Sequence, residues 1–175
     1  MMTPAAPEGY RPCVGLALFN QDGLVFVGRR ANKALREHVD ATHQWQMPQG
    51  GIDRGETPLQ AARRELQEET NVVSATLLAE APGWLSYDLP VDIGKEAWKG
   101  RWRGQAQKWF AFRLDEGAEA EIDIEHPAGG HKAEFDAWRW ERLALTPELI
   151  IPFKAEVYRA VATLFAPYAI PAKGS

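Results

Sequence analysis

The 175-residue chain has little cysteine, no long apolar run and no excess of positive charge. Its single cysteine, Cys13, excludes an internal disulfide and favours a reducing environment. Apolar runs stay below the roughly 18 residues that a membrane span needs, and the first residues lack the basic start and apolar stretch of a signal peptide. We therefore expect a cytoplasmic protein with no membrane partner.

The charge balance limits the kind of partner. The chain has 20 Lys and Arg against 24 Asp and Glu, a formal net charge of −4. Proteins that grip long stretches of nucleic-acid backbone are usually basic, so we expect no long nucleic-acid footprint. A ligand with a few phosphates stays compatible with this charge, because a divalent metal and a few local cations can neutralise it.

The composition predicts one domain over residues 1–175, with flexible ends over about residues 1–8 and 170–175. Hydrophobic residues make up 45% and charged residues 25% of the chain, which is ordinary for a globular domain. Pro and Gly are scattered between periodic segments, and no repeat or linker-like tract separates them. The sequence leaves the oligomeric state open.

Short apolar and aromatic stretches predict strands over residues 13–19, 24–30, 76–80, 84–87, 108–114 and 137–140. The first two are joined by Asn-Gln-Asp-Gly, residues 20–23, a turn sequence that predicts a hairpin. Residues 115–130 are acidic and contain glycine and proline, which predicts a surface loop.

Two segments predict helices. The first begins with Thr57 as cap, has Pro58 at its first position and Gln60 three residues after the cap, and runs to about Thr70, with Asn71 suited to its end. The second follows Pro152 and has an apolar stripe of Phe153, Val157, Ala160, Val161 and Leu164. Strands alternating with helices in this order predict a mixed α/β sandwich.

The first helix carries three acidic residues on one face. Glu65, Glu68 and Glu69 are three and four residues apart, so their carboxylates converge. Clustered oxygen ligands without His or Cys suit magnesium or manganese. A solvated acidic face paired with Arg63 or Arg64 is the alternative interpretation.

A longer pattern surrounds these glutamates: Gly50, then Glu56, then residues 64–72 with the sequence RELQEETNV. This pattern resembles the box of the Nudix family, with Asn71 where the family has glycine. Asn is the residue that best replaces Gly at a left-handed helix end, so we expect the departure to leave the box intact.

The resemblance implies a fold, a reaction and a ligand set. The fold is an α/β/α sandwich around a mixed β-sheet, and the reaction is hydrolysis of a nucleoside diphosphate linked to another group. Glu68 and Glu69 would bind Mg²⁺ or Mn²⁺ with the Gly50 carbonyl, and more than one ion is expected with substrate bound. Glu65 would be a ligand or the base that activates water, Arg64 would orient a box glutamate, and Glu134 would add a fourth carboxylate as ligand or base.

Segments outside the box resemble one subgroup, the bacterial RNA pyrophosphohydrolases and plant-type diadenosine tetraphosphate hydrolases. They are residues 9–12 (GYRP), 45–51 (WQMPQGG), 105–110 (QAQKWF), 134–140 (EFDAWRW) and 152–154 (PFK). The implied substrate is either a dinucleoside tetraphosphate, cleaved asymmetrically, or the 5′-triphosphate end of RNA. A nucleotide sensor without hydrolysis and a cleanup enzyme for modified nucleoside triphosphates are the alternatives.

The subgroup also implies substrate contacts. Cations would reach the phosphates, aromatic rings would stack on a base, and an amide would complete the site: Arg11, Lys108, Lys154, Tyr87, Phe153 and Gln105. Surface cations and packed core rings are the alternatives for these residues. Packing is the simplest role for Trp45, Trp109, Trp138 and Trp140, burial in a strand is the simplest for Cys13, and no role is assigned to His38, His43, His126 and His131.

Overall fold

The computed structural model describes residues 4–31 and 40–173. The strands are β1 (Tyr10–Phe19), β2 (Val25–Arg30), β3 (Trp45–Gln46), β4 (Gln49–Gly51), β5 (Ala75–Asp88), β6 (Gly104–Leu114) and β7 (Phe135–Glu141). The α-helices are α1 (Pro58–Thr70), α2 (Val91–Trp98), α3 (Thr146–Leu149) and α4 (Ala155–Phe165). His38 and the outermost residues of both predicted flexible ends lie outside the described ranges. Within those ranges no helix combines the length and apolar character needed to cross a membrane.

The strands form one mixed sheet in the order β3-β2-β1-β6-β5, with β4 paired to β1 and β7 paired to β2. The β1–β6 pair is parallel, from Tyr10 opposite Gly104 to Phe19 opposite Arg113. The β1–β2, β1–β4 and β5–β6 pairs are antiparallel. The long central strand β1 therefore lies between β2, its partner in the predicted hairpin, and the aromatic strand β6.

Each face of the sheet is covered by a helix. On one face, here called the α1 face, the α1 residues Ala61, Ala62 and Leu66 pack on side chains of β1 and β6. On the opposite face, the α4 face, the buried residues of α4 are Val157, Tyr158, Val161 and Phe165. The alternation of side chains along β1 supplies both cores, and the predicted α/β/α sandwich around a mixed sheet is confirmed.

The ends of α1 follow the sequence prediction. Thr57 Oγ1 accepts a hydrogen bond from the Gln60 backbone at 3.2 Å, and Gln60 Oε1 accepts one from the Thr57 backbone at 2.8 Å. At the other end Asn71 adopts the left-handed conformation with φ +65°. Both ends of the glutamate helix are thus fixed by local chemistry.

Several sequence predictions need correction. The strands predicted over residues 76–80 and 84–87 are one strand, β5, because the chain stays extended through a β-bulge, where the register against β6 shifts between Glu80 and Trp84. Helix α2 was not predicted, since it is short, contains Gly94 and has no side-chain cap. Residues 115–130 were expected to lie on the surface, but Ala118 and Ile124 are buried in the core of the α1 face.

The closing helix also differs in detail. Residues 152–154 form a 3-10 turn before α4 begins, so Phe153 and Lys154 precede the helix. Leu164, predicted on the apolar stripe, is 38% exposed, and the buried positions near it are Phe165 and Val161. The prediction of an amphipathic helix is confirmed, but its buried face is rotated from the one expected.

The predicted packing roles of the aromatic and cysteine residues are confirmed. Trp109 is fully buried and meets Tyr158 edge to face at 5.6 Å between ring centroids. Trp138 stacks on Phe26 at 5.5 Å. Cys13 is 1% exposed on β1.

Candidate active site

Arg64 is the centre of the glycine-glutamate region that joins β4 to α1. Its guanidinium donates to both carboxylate oxygens of Glu56 at 2.7 and 2.9 Å and to the Gly51 carbonyl at 2.8 Å. The same group donates to Glu65 at 2.8 Å and to Glu68 at 3.1 Å. The hydrogen bonds with Arg64 lower the pKa of Glu56, and those with Glu56 raise the pKa of Arg64. Arg64 therefore has the orienting contacts that the resemblance implied.

Glu65 lies directly against Gly50. A Cβ atom at position 50 would lie 2.0 Å from the Glu65 carboxylate carbon, so a residue larger than glycine would displace the carboxylate. Burial raises the pKa of Glu65 to about 7, against the effect of Arg64, and the nearby charges of Glu68 and Glu134 raise it further. A carboxyl group with this pKa is suited to exchange a proton near neutral pH.

Glu69 is the most buried of the box glutamates, with 7% of its surface exposed. Its Oε2 accepts a hydrogen bond from the Gln49 backbone at 3.3 Å. Burial raises its pKa well above the usual value, and the charges of Glu134 and Glu65 add to the effect. Glu134, on the loop before β7, is therefore close enough to act electrostatically on two box glutamates, and the structure brings together four predicted site residues: Glu65, Glu68, Glu69 and Glu134.

These residues fit a divalent cation by their chemistry. They supply only oxygen donors, and their mutual repulsion and burial raise the pKa values of Glu65 and Glu69, an effect that a bound cation would reverse. Across residues 4–31 and 40–173, no three acidic, His or Cys side chains already form a convergent ligand set. In this arrangement Arg64 donates to Glu65 and Glu68, and the Gln49 backbone donates to Glu69.

A second charged group lies on the α4 face. Lys154 is 4% exposed, and its Nζ donates to Gln49 Oε1 at 3.2 Å and lies 5.4 Å from the centre of the Tyr87 ring. Burial lowers the pKa of Lys154 to about 7, and the charge of Arg30 lowers it further. The Tyr87 and Phe153 rings are 5.7 Å apart. The structure therefore groups Lys154, Tyr87 and Phe153, three predicted substrate contacts from distant parts of the sequence.

Glutamine side chains connect the two groups. Gln107 Nε2 donates to Gln49 Oε1 and to Gln105 Oε1, both at 3.1 Å. The Trp109 indole donates in turn to Gln107 Oε1 at 3.0 Å. Gln49 thus contacts Glu69 through its backbone and Lys154 through its side chain.

Sequence reasoning placed Gln105 in the site but missed Gln49, Gln107 and Arg30. Gln49 and Gln107 stand in segments that resemble the subgroup, so those segments were the available signal. Arg30 acts on the pKa values of Glu69 and Lys154 from the end of β2. A single arginine at a strand end offers no sequence pattern that could have identified it.

The two remaining predicted cations lie in different surroundings. Arg11 is close to the glycine segment, since a Cβ at Gly51 would lie 2.6 Å from its Nη2. Lys108 is 3% exposed, donates to the Ala81 carbonyl and pairs with Glu80 at 3.3 Å. Residues at the bulge of β5 therefore bind the Lys108 side chain, and the phosphate contact expected for Lys108 stays a prediction.

A helix that presents glutamates to a glycine segment at the edge of a mixed-sheet sandwich is the arrangement of the Nudix class. The NUDIX domain model matches residues 9–161, and the chain belongs to the Nudix family. Relatives that are about 60% identical to this chain are named as pyrophosphohydrolases. The chain is accordingly a Nudix hydrolase.

The most similar relatives include two bacterial proteins. The chain is 59% identical over 157 residues to the RNA pyrophosphohydrolase of Rhodopseudomonas palustris, covering 90% of this chain and 92% of the relative. It is 60% identical over 169 residues to the RNA pyrophosphohydrolase of Azorhizobium caulinodans, covering 96% and 99%.

Solved structures share the fold at low identity. A C. elegans Ap4A hydrolase in a binary complex has a TM-score of 0.61 at 19% identity, covering 90% of this chain and 98% of that one. The E. coli dihydroneopterin triphosphate pyrophosphohydrolase also has a TM-score of 0.61, at 18% identity, covering 91% and 99%.

Proposed function

We propose that the protein is an RNA pyrophosphohydrolase, which adds water to the 5′-triphosphate end of RNA and releases pyrophosphate, leaving a 5′-monophosphate. The sequence identity of about 60% to proteins of that name, over at least 90% of this chain, carries the proposal. The juxtaposition of four glutamates with a buried lysine and an aromatic pair supports it, because a terminal nucleotide presents phosphates and a base together.

The carboxylate cluster supplies the metal-binding part of the proposed site. Glu68, Glu69, Glu134 and the Gly50 carbonyl would hold Mg²⁺ or Mn²⁺, with more than one ion when substrate is bound. The bound cations would neutralise the phosphate oxygens and make the attacking water more acidic. The close contact of Gly50 with Glu65 supports this placement, since it puts the glycine backbone within reach of the carboxylates.

The remaining residues would bind and orient the substrate. Glu65, with a pKa of about 7, is suited to accept the proton from water, and Glu134 is the alternative base. Lys154 and Arg11 would hold phosphate oxygens through charge-assisted hydrogen bonds. The Tyr87 and Phe153 rings would receive the base of the terminal nucleotide, because stacking accepts any base.

Hydrolysis of dinucleoside tetraphosphates is the second candidate. The net charge of −4 favours it, because a dinucleotide needs no extended basic surface. Both substrates contain the same type of phosphoanhydride bond. They would therefore use the same carboxylates and differ in what lies beyond the first nucleotide.

The test compares kcat/KM in Mg²⁺ for a short 5′-triphosphate RNA, for diadenosine tetraphosphate and for a modified nucleoside triphosphate, with product analysis. The proposal expects preference for RNA with pyrophosphate as the released product, and a large loss of turnover in Glu69→Gln. Preference for the dinucleotide would establish the second candidate. Preference for a modified nucleoside triphosphate would overturn both candidates and identify a cleanup enzyme. An RNA-specific enzyme would work in the cytoplasm, the compartment that the cysteine content predicts.

A further inference from the structure

Asn71 does more at the end of α1 than adopt the left-handed conformation. Its Nδ2 donates to the Asp123 carbonyl at 2.7 Å and to the His126 carbonyl at 2.9 Å. Glycine would fit the backbone at φ +65° with less strain but could make neither bond. The amide therefore ties the end of the glutamate helix to a segment more than fifty residues later in the chain.

Further contacts dock that segment, residues 118–131, against the same helix end. The Asp123 backbone donates to the Thr70 carbonyl at 3.0 Å, and Glu121 Oε1 accepts from the Val73 and Ser74 backbones at 2.9 and 3.0 Å. Ala118 and Ile124 are each 8% exposed. The segment is thus an ordered part of the α1 face, which its acidic composition did not indicate.

The far end of the segment reaches the proposed metal ligands. The Ala128–Gly130 turn contacts α1, and His131 Nε2 lies 3.4 Å from Glu68 Oε1. The other carboxylate oxygen of Glu68 accepts from Arg64 at 3.1 Å. One side of Glu68 is thus oriented from within α1, and the other side is contacted from residues 118–131.

We propose that residues 118–131 position Glu68 for metal binding, with Asn71 as the anchor of the segment and His131 as the positioning residue at its tip. The inference rests on the proposed metal role of Glu68. Ordering both oxygens of a ligand before the cation arrives lowers the entropy lost on binding. Asn71 acts at a distance from the carboxylate, so its effect on the metal has to pass through the docked segment.

The experiment is a Mn²⁺ titration followed by the paramagnetic resonance of free Mn²⁺, which needs no substrate. Asn71→Gly keeps the left-handed backbone and removes the amide, and His131→Ala removes the contact with Glu68. Each is expected to raise the Mn²⁺ Kd about 3- to 10-fold, less than the roughly 10- to 100-fold typical of residues that orient metal ligands, because the His131 side chain is 58% exposed. His131→Gln, which keeps a donor, is expected to restore part of the affinity.

The double variant tests whether Asn71 acts through His131. If it does, Asn71→Gly with His131→Ala raises Kd no more than the larger single effect. Effects that multiply would overturn the proposed route. The matched control is Asn20→Gly, which removes an amide that accepts from the Asp22 and Leu24 backbones in the β1–β2 turn and is expected to leave Kd unchanged.

Amide hydrogen exchange distinguishes the role of Asn71, the anchor, from that of His131 at the tip of the segment. Asn71→Gly is expected to speed exchange in peptides spanning residues 121–126, whereas His131→Ala is expected to leave those peptides protected. Faster exchange in Asn71→Gly with an unchanged Kd would make Asn71 a purely structural residue and overturn the inference. If Glu68→Gln binds Mn²⁺ as well as the wild type does, the proposed metal role of Glu68 fails, and this inference fails with it.

Discussion

Burial disfavours the charged form of ionisable side chains on both faces of the sheet, although the charges on the two faces have opposite signs. On the α1 face, burial raises the pKa values of Glu65 and Glu69, and on the α4 face burial lowers the pKa of Lys154. Each shift favours the neutral form, because keeping these buried side chains charged costs free energy when no ligand is bound. A cation bound to the carboxylates and a phosphate bound to Lys154 would relieve both. The comparison indicates a site built for metal and polyphosphate together.

Gln49 lies where the two faces meet. Its backbone contacts Glu69 at 3.3 Å, and its side chain contacts Lys154 at 3.2 Å. The faces are thus one or two hydrogen bonds apart, although Glu69 and Lys154 are far apart in the sequence. Substitutions can therefore test whether they divide the work, with metal chemistry on the α1 face and substrate binding on the α4 face.

The largest effect is expected on the α1 face. Glu69→Gln removes the charge of a buried residue that we propose as a metal ligand and keeps the size of its side chain, so kcat is expected to fall by about 10³-fold or more while the protein stays folded. Steady-state kinetics in saturating Mg²⁺ and a thermal melt provide the measurement. Glu148→Gln, at an exposed position of α3, is the control. Wild-type turnover in Glu69→Gln would remove Glu69 from the metal site.

On the α4 face the expected loss is in binding. Lys154→Met keeps the length of the side chain and removes the charge, so KM is expected to rise about 10- to 100-fold, the value of a hydrogen bond to a charged group. Stability is expected to hold, because Met has no charge to desolvate in this buried position. Lys95→Met, at an exposed position, is the control. A fall in kcat with unchanged KM would break the division between the faces.

The aromatic pair provides a smaller test of the same face. Phe153→Ala is expected to raise KM about 10-fold, from the loss of one base-stacking contact. Phe153→Leu retains the apolar bulk packed near Tyr87 but has no ring face, and it is expected to raise KM almost as much. Restoration of KM by Leu, with a lower melting temperature in Ala, would show that Phe153 is a packing residue.

The contrast between the faces also explains what sequence reasoning could predict. The α1 face is encoded locally, because a capped helix with glutamates three and four residues apart follows directly on its glycine segment. Lys154, Tyr87 and Gln107 come from separate elements, and their association depends on long-range strand pairing that no local period indicates. The family resemblance could identify some residues of this group, but their hydrogen bonds to Gln49 could be found only in the folded structure.

The docking of residues 118–131 could not be predicted from the sequence for a different reason. The segment is acidic and contains glycines, the usual composition of an exposed loop, and its attachment includes hydrogen bonds from the Asn71 amide at the end of α1. Asn71 was interpreted only as a residue that tolerates a left-handed helix end. Backbone preference and side-chain hydrogen bonding favour the same residue type there, and the sequence cannot separate the two.

The smallest predicted effect is the pH dependence of metal binding on the α1 face. Protonation of Glu65 removes a negative charge beside the proposed metal ligands, so a carboxyl pKa of about 7 predicts that Mn²⁺ affinity falls by up to about fourfold from pH 8 to pH 6.5. The raised pKa of Glu65 also makes the free energy of unfolding depend on pH. In the metal-free protein the shift stabilises the fold at low pH, and this contribution is lost as pH rises from the ordinary carboxyl pKa through about 7. Mn²⁺ titrations and urea unfolding at several pH values measure both effects. Glu65→Gln is expected to flatten both profiles, whereas unchanged slopes would assign the titration to another carboxylate of the cluster.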